Sequence, residues 1–309
     1  MTLSSGIPTR GPYRGRFAPS PTGPLHFGSL VAALASWLDA RAHRGQWLVR
    51  IEDIDPPREE PDAAQAQLAA LAALGLVPDE PPTFQSANSA RYAAALASLH
   101  ARGHLYRCDC SRSAIDQASQ RLGLAAGVYP GTCRDRAVSG SATSVRVRVP
   151  DEVVGFVDRA CGPFSQHLAT DVGDFVVRRS DGLWAYQLAV VVDDAADRIT
   201  DVVRGADLLD NTPRQVLLQR RLGLPTPRYL HIAVARNAAG EKLSKQTGAA
   251  PLDLAAPVQQ LELAWQHLGF AATGATTIAD LLQHAVPAWR ERWCRGSGGA
   301  NTIGAAAAP

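Results

Sequence analysis

Residues 14–39 read RGRFAPSPTGPLHFGSLVAALASWLD, and this stretch decides the fold. Residues 13–18 have the composition of a short strand and residues 19–24 form a Pro/Ser/Thr/Gly turn. From Ser29 the apolar residues Leu30, Val31, Leu34, Trp37 and Leu38 fall at helical spacing. A strand, a small-residue loop and a helix in this order make a nucleotide site. The start of the helix offers unpaired backbone N–H groups and the positive end of its dipole to phosphate oxygens. His26, two residues before Gly28, stands beside those phosphates, and Gly28 lets the nucleotide approach the backbone.

The 309 residues allow one large or two modest domains, and 46% apolar composition is ordinary for a soluble globular chain. Charges nearly balance, with 31 Lys plus Arg against 29 Asp plus Glu, so contact with nucleic acid has to rely on local patches. The chain opens without an apolar signal segment, and no run approaches the roughly 20 apolar residues that span a bilayer. The expectation is a cytoplasmic monomer with no membrane partner. Five cysteines, an odd number, argue against a disulfide framework and for free thiols or a metal site.

Outward from the opening stretch, residues 47–51 read as a strand that delivers Glu52, Asp53 and Asp55 to its carboxyl end, where ligands gather in an open parallel sheet. Residues 63–74 and 89–102 are Ala-rich amphipathic helices stopped by Gly75 and Gly103, with Ser86 or Asn88 as cap of the second. Residues 106–134 form a cysteine-bearing loop. Cys108, Cys110 and Cys133 supply three of the four ligands that structural zinc takes, and spacing alone leaves free buried cysteines equally plausible. Strands follow at 144–149, 153–157 and 174–179. Residues 184–194, WAYQLAVVVDD, are apolar without a periodicity that separates helix from strand. A strand at 199–203 precedes Arg204. A helix from Thr212, its cap, runs through Leu222, and a last strand covers 229–235. Helices at 258–268 and 278–286 come before a Gly/Ala/Ser-rich tail expected to be disordered.

These strings resemble the class I aminoacyl-tRNA synthetases in their glutamyl form. RFAPSPTG followed by His26, Phe27, Gly28 and Ser29 resembles the first ATP motif, with Ser29 where the usual form has a second His. EKLSKQTG at 241–248 resembles the second, Lys-Met-Ser-Lys-Ser, and falls after the last sheet strand. RIEDID at 50–55, YQLAVVVDD at 186–194 and VRGADL at 203–208 match the glutamyl branch as well. The resemblance implies an α/β fold with a Rossmann-type parallel sheet, an inserted zinc or acceptor-type region and a short helical C-terminal segment. The expected divisions are residues 1–105 and 173–250 for the two catalytic halves, 106–172 for the insertion, 251–293 for the helical region and 294–309 for the tail.

It also implies the site. His26, Lys242 and Lys245 are the expected catalytic residues, with Gly28, Ser29 and again His26 and Lys245 holding ATP. Arg16, Phe17, Ala18, Pro19, Ser20, Glu52, Tyr186 and Arg204 form the glutamate pocket, with Glu52 beside the ammonium group. Arg50 and Asp53 brace the loop. Short relatives of this kind show Cys-X-Cys and then Tyr-X3-Cys, which adds Tyr129 to Cys108, Cys110 and Cys133 as ligands of one Zn2+ per chain; Mg2+ would arrive with ATP. Only 64 residues follow Lys245, too few for the helical anticodon-binding region of an ordinary glutamyl-tRNA synthetase. The resemblance is therefore to the glutamyl-Q tRNA(Asp) synthetases, which load glutamate onto queuosine in the anticodon of tRNA(Asp). Arg112, Arg134 and Arg136 are candidate RNA contacts. An ordinary or truncated glutamyl-tRNA synthetase and a small-molecule nucleotidyltransferase of the same fold are the alternatives.

Overall fold

A computed structural model describes residues 11–235 and 250–294. Strand β1 (Arg14–Phe17) runs into the 19–24 turn, then α1 (Phe27–Ala42), β2 (Gln46–Ile51), α2 (Ala63–Ala73), β3 (Thr83–Phe84) and α3 (Ser89–Ala101). β1, β2 and β3 are parallel neighbours, in register at Arg16 with Leu48 and at Ile51 with Phe84. Such parallel pairs need crossover connections, and α1 and α2 supply them. Gly75 and Gly103 end the two Ala-rich helices as the sequence suggests.

The middle of the chain comprises β4 (Leu105–Cys108), α4 (Arg112–Arg121), β5 (Ser144–Val147), β6 (Val153–Asp158), β7 (Gly162–His167), the single turn α5 (Leu168–Asp171) and β8 (Val176–Arg178). β4, β5 and β8 form a small antiparallel sheet of their own. The β6–β7 hairpin joins the returning half of the molecule, which consists of α6 (Tyr186–Ala196), β9 (Asp201–Gly205), α7 (Thr212–Leu222) and β10 (Arg228–Ile232), in the order β7-β6-β10-β9. The Thr200 N–H donates to the Arg14 carbonyl and the Arg14 N–H to Thr200 Oγ1, so β9 lies along β1 and the two sheets meet edge to edge. Helices α8 (Pro257–His267) and α9 (Ile278–Trp293) cover α1.

Several local expectations are corrected. The 106–134 segment is not all loop: α4 forms there, started by Ser111 Oγ accepting the Ala114 N–H. Strand β7, unmarked by alternation, is held in place by its full register with β6. Asn88 stands at the start of α3 but does not cap it, because its amide donates to Asp193 instead. Thr212 is the first helical residue of α7, with Asn211 before it, and its hydroxyl accepts from Arg204. The apolar segment at 184–194 is helical from Tyr186, buried on so many sides that no period could show. α9 continues past Val286 through Pro287. A proline inside a helix costs about 3 kcal/mol, a penalty offset here by the complete burial of Trp289 two residues on.

Asp39, fully buried on α1, explains why that last turn matters. Its carboxylate accepts from Tyr13 Oη at 2.6 Å, from both terminal nitrogens of Arg159 at 2.6 and 2.9 Å, and from Trp289 Nε1 at 2.9 Å. Burial pushes its pKa up, but these donors outweigh burial and leave the carboxyl below its usual range. One anion thus ties the start of β1, the β6–β7 hairpin and α9 to the central helix. Asp39→Ala is expected to lower stability by about 3–5 kcal/mol in urea unfolding, because it strands the buried Arg159 charge. A loss below about 1 kcal/mol would mean that the four donors find other partners.

Candidate active site

The carboxyl ends of β1, β2 and β9 and the start of α1 open into one cleft of about 1230 Å³. Every described residue singled out from the glutamate and ATP motifs lines it: Arg16, Phe17, Ala18, Pro19, Ser20, His26, Gly28, Ser29, Glu52, Tyr186 and Arg204. The 19–24 turn is fixed from both sides. The Glu52 N–H donates to the Pro19 carbonyl, and Gln67 Nε2 donates to the carbonyls of Ser20 and Gly23 at 3.0 and 2.7 Å. His26 is the residue before α1, and its Nδ1 accepts the Ser29 N–H at 3.4 Å, which sets the ring at the helix start. Ala235, the last residue before the undescribed segment, lines the cleft, and Pro251, just after it, pairs with His26. Lys242 and Lys245 lie outside the described residues.

On one side of the cleft two arginines are neutralised by buried carboxylates. Asp194 on α6 receives Arg16 through Nε and Nη2 at 3.0 and 3.1 Å and Arg50 through Nη2 at 2.7 Å. Arg50 also reaches Asp197 at 2.9 Å, and Asp53 accepts from the Ser86 N–H and hydroxyl; both residues brace the loop and neither lines the cleft. Glu52 is left with only a loose approach to Arg50 at 3.9 Å, its side chain 9% exposed and its Oε1 enclosed without a hydrogen-bond partner. Burial, with Asp194 and Asp193 nearby, pushes its pKa up to about 7 against the pull of Arg50 and Arg16. Such a carboxylate suits a ligand cation.

The opposite wall is cationic. Arg204 is 5% exposed, and its Nε donates to His231 Nε2 at 3.1 Å and its Nη2 to Thr212 Oγ1 and Gln215 Oε1 at 2.8 and 2.9 Å. Nη1 approaches the Tyr186 hydroxyl at 3.5 Å. His231 Nδ1 in turn donates to Asp158 Oδ2 at 2.6 Å, which fixes the tautomer that leaves Nε2 as acceptor. Burial keeps that imidazole neutral, its pKa lowered. Among the described residues, Arg204 therefore meets only neutral groups, and its charge remains for a ligand anion. The motif around Arg204 does not reveal this support, since Thr212 and Gln215 on α7, His231 on β10 and Asp158 on β6 belong to three separate segments.

A second cluster borders the cleft through Arg112 and Ser144. Cys110 and Cys133 Sγ are 3.4 Å apart, and the three thiols of Cys108, Cys110 and Cys133 lie within 4.8 Å of one another. Tyr129 Oη is 3.3 Å from Cys108 Sγ and 3.9 Å from Cys110 Sγ. Tetrahedral zinc with bonds of about 2.3 Å to sulfur sets S···S separations of roughly 3.8 Å, so the four side chains fit one metal ion. Gly173 pairs with Tyr129 in a left-handed conformation, where a Cβ would strike the Tyr129 backbone. Arg146 lies over the Tyr129 ring at 3.8 Å. The candidate RNA contacts divide: Arg134 is spent on Asp174 and the Val149 carbonyl, whereas Arg136 is half exposed and Arg112 faces the cleft.

Comparison with known proteins places this parallel sheet and its cleft among the class I synthetase catalytic domains. The family described as tRNA synthetases class I (E and Q), catalytic domain, matches residues 13–256. Glutamyl-Q tRNA(Asp) synthetases from Burkholderia mallei (strain ATCC 23344) and Ralstonia nicotianae (strain ATCC BAA-1114 / GMI1000) are 59% and 57% identical. They align over 91% and 92% of this chain and 97% and 92% of their own lengths. The chain belongs to this class I family and, within it, to the glutamyl-Q tRNA(Asp) synthetases. Among solved structures, a glutamate-tRNA synthetase from Elizabethkingia anophelis is 28% identical with a TM-score of 0.68 over 77% of this chain. A glutamate tRNA ligase from Elizabethkingia meningosepticum CCUG26117, in complex with its amino acid, is 26% identical with a TM-score of 0.73 over 88%. This chain spans 53% and 64% of the lengths of those two proteins.

The Glu52 environment gives a pH dependence. A carboxyl group with a raised pKa is neutral below about 7, and only its ionised form attracts an ammonium group. Affinity for glutamate, the ligand the motifs imply, is expected to fall as pH drops from about 8 to 6, approaching tenfold per unit below the pKa. Glu52→Gln should weaken binding at high pH and flatten the profile. Calorimetric titration across that range checks it, and an unchanged slope in the variant would remove Glu52 as the titrating group.

Proposed function

We propose that this chain activates L-glutamate with ATP, without tRNA, and transfers it to queuosine in the anticodon of tRNA(Asp). The observation that carries the reading is the convergence of Arg16, Glu52, Tyr186 and Arg204, from four separate segments, on one cleft with His26 and Ser29 at its helix start, in a chain 59% identical to glutamyl-Q tRNA(Asp) synthetases. Glutamate carries two carboxylates and one ammonium group. Arg204 with Tyr186 clamps a carboxylate, Glu52 takes the ammonium group, and Arg16, already half-neutralised by Asp194, offers its remaining Nη1 to the second carboxylate.

Activation follows from that placement. An oxygen of the α-carboxylate attacks the α-phosphorus of ATP, the bond to the bridging oxygen breaks, and pyrophosphate leaves with the electron pair. The protein contributes positioning and charge neutralisation. His26 and the N–H groups opening α1 hold phosphate oxygens; Lys245, with Lys242, neutralises the leaving pyrophosphate; Mg2+ accompanies ATP. A hydroxyl of the queuosine side group then displaces AMP from the adenylate, forming an ester. Cys108, Cys110, Tyr129 and Cys133 would hold one Zn2+, which would supply a structural crosslink; Arg112 at the start of α4 and the half-exposed Arg136 follow two of these cysteines in the chain and are available to phosphates of an RNA loop.

The test is exchange of labelled pyrophosphate into ATP. It should depend on glutamate and not on tRNA. Lys245→Ala should slow it by about 2 kcal/mol of barrier or more, and Arg204→Ala should raise the glutamate requirement with ATP binding retained. Exchange that requires tRNA(Glu), or glutamate loading of tRNA(Asp) regardless of queuosine, would favour an ordinary glutamyl-tRNA synthetase.

Metal content supplies an independent check. The purified protein is expected to hold one zinc per chain, lost in a Cys108→Ser, Cys110→Ser double variant. Zinc retained at full stoichiometry in that variant would put the ligands elsewhere.

A further inference from the structure

Among the described residues, three side-chain acceptors that line the cleft are enclosed and have no hydrogen-bond partner: Glu52 Oε1, Gln67 Oε1 and Gln85 Oε1. Gln85 is wholly buried, yet it belongs to no motif that sequence reading used. An unpaired buried carbonyl costs on the order of 1–3 kcal/mol, so its place on a cleft wall calls for a donor from a ligand.

We propose that Gln85 Oε1 is a second acceptor for the ammonium group of the bound amino acid, beside Glu52. The inference rests on the glutamate reading given above and names a further residue of that pocket. Strands β2 and β3 are parallel and in register, Arg50 with Thr83 and Ile51 with Phe84, and Glu52 and Gln85 are the residues that follow this last pair at the carboxyl end of the sheet. Both line the cleft, so their two unpaired oxygens belong to one cavity. The amide cannot turn away. Gln85 Nε2 donates to Asp193 Oδ2 at 2.9 Å, and since a carboxylate only accepts, the carbonyl oxygen is left on the other side. Asp193 is itself held by Tyr92 Oη at 2.5 Å and Asn88 Nδ2 at 3.0 Å, which makes the anchor rigid. Gln67 stands on α2, with no such register to Glu52.

The chemistry favours an amide at this position. An ammonium group brings three N–H donors, and one carboxylate oxygen satisfies one of them. A second carboxylate beside Glu52 would add like-charge repulsion to a group already pushed up to about 7. A glutamine carbonyl accepts a hydrogen bond without adding charge, so the pair would discriminate for a protonated α-amino group rather than for any cation.

The experiment compares dissociation constants for glutamate and for glutarate, which has both carboxylates and no ammonium group, in the wild-type protein, Gln85→Met and Glu52→Gln. Gln85→Met is expected to weaken glutamate tenfold or more while changing glutarate less than about twofold, the size of a lost charge-assisted hydrogen bond. Equal weakening of both ligands, or none, would overturn the assignment and leave Gln85 as a brace for Asp193. Glu52→Gln separates this from the broader reading. If the wild-type protein does not bind glutamate, or Glu52→Gln spares it, the glutamate pocket itself fails. If Glu52→Gln shows the selective loss and Gln85→Met does not, only Gln85 fails. Should Gln85→Met not fold, a crystal structure of the wild-type protein with glutamate decides: Gln85 Oε1 within about 3.2 Å of the ammonium nitrogen supports the contact, and a separation beyond about 4 Å rejects it.

Discussion

A single buried carboxylate, Asp194, makes the cleft possible. Arg16 and Arg50 come from neighbouring strands and are both buried, a combination that is strongly unfavourable unless an anion is enclosed with them. Asp194 meets that requirement from α6, 178 residues beyond Arg16, and burial is outweighed by the two guanidinium groups that keep its pKa lowered. The two halves of the sheet are thereby locked across the site. Because Asp194 and Asp197 neutralise those arginines, Glu52 finds no firm cation among the described residues and keeps its affinity for a ligand's.

Arg204 is held by the opposite strategy. Its partners are an imidazole nitrogen, a hydroxyl and an amide oxygen, all neutral, with Asp158 orienting the imidazole from behind. Such support sets direction without consuming charge, since Asp158 acts through His231 rather than on the guanidinium. Placing one arginine against carboxylates and another against neutral acceptors leaves Glu52 to meet a cation and Arg204 to meet an anion. A ligand bearing both signs is oriented before any chemistry occurs.

Most of the residues that line the cleft were legible in the sequence because they sit in short strings that resemble those of the glutamyl synthetases. RFAPS, the residues around His26, Glu52 after a strand, and Arg204 at the end of another each carry a residue type and a local setting that survive without coordinates. The supports were not legible, and the reason is distance along the chain. Asp194 to Arg16, Asp158 to His231 and Gln85 to Asp193 are tertiary contacts between residues that look unremarkable in their own segments. Local structure failed where burial erased periodicity, as in α6, or where a polar helix such as α4 had only a serine cap to announce it. Proline at 287 misled for a related reason: the helix continues because Trp289 must reach Asp39, a contact 250 residues long.

Whether glutamate goes to an anticodon base or to the end of an acceptor stem is decided by loading queuosine-bearing tRNA(Asp) with labelled glutamate and cutting it with a base-specific ribonuclease. Label is expected in the anticodon-loop fragment that contains queuosine and not on the 3′-terminal adenosine; label on the terminal adenosine would overturn the anticodon assignment.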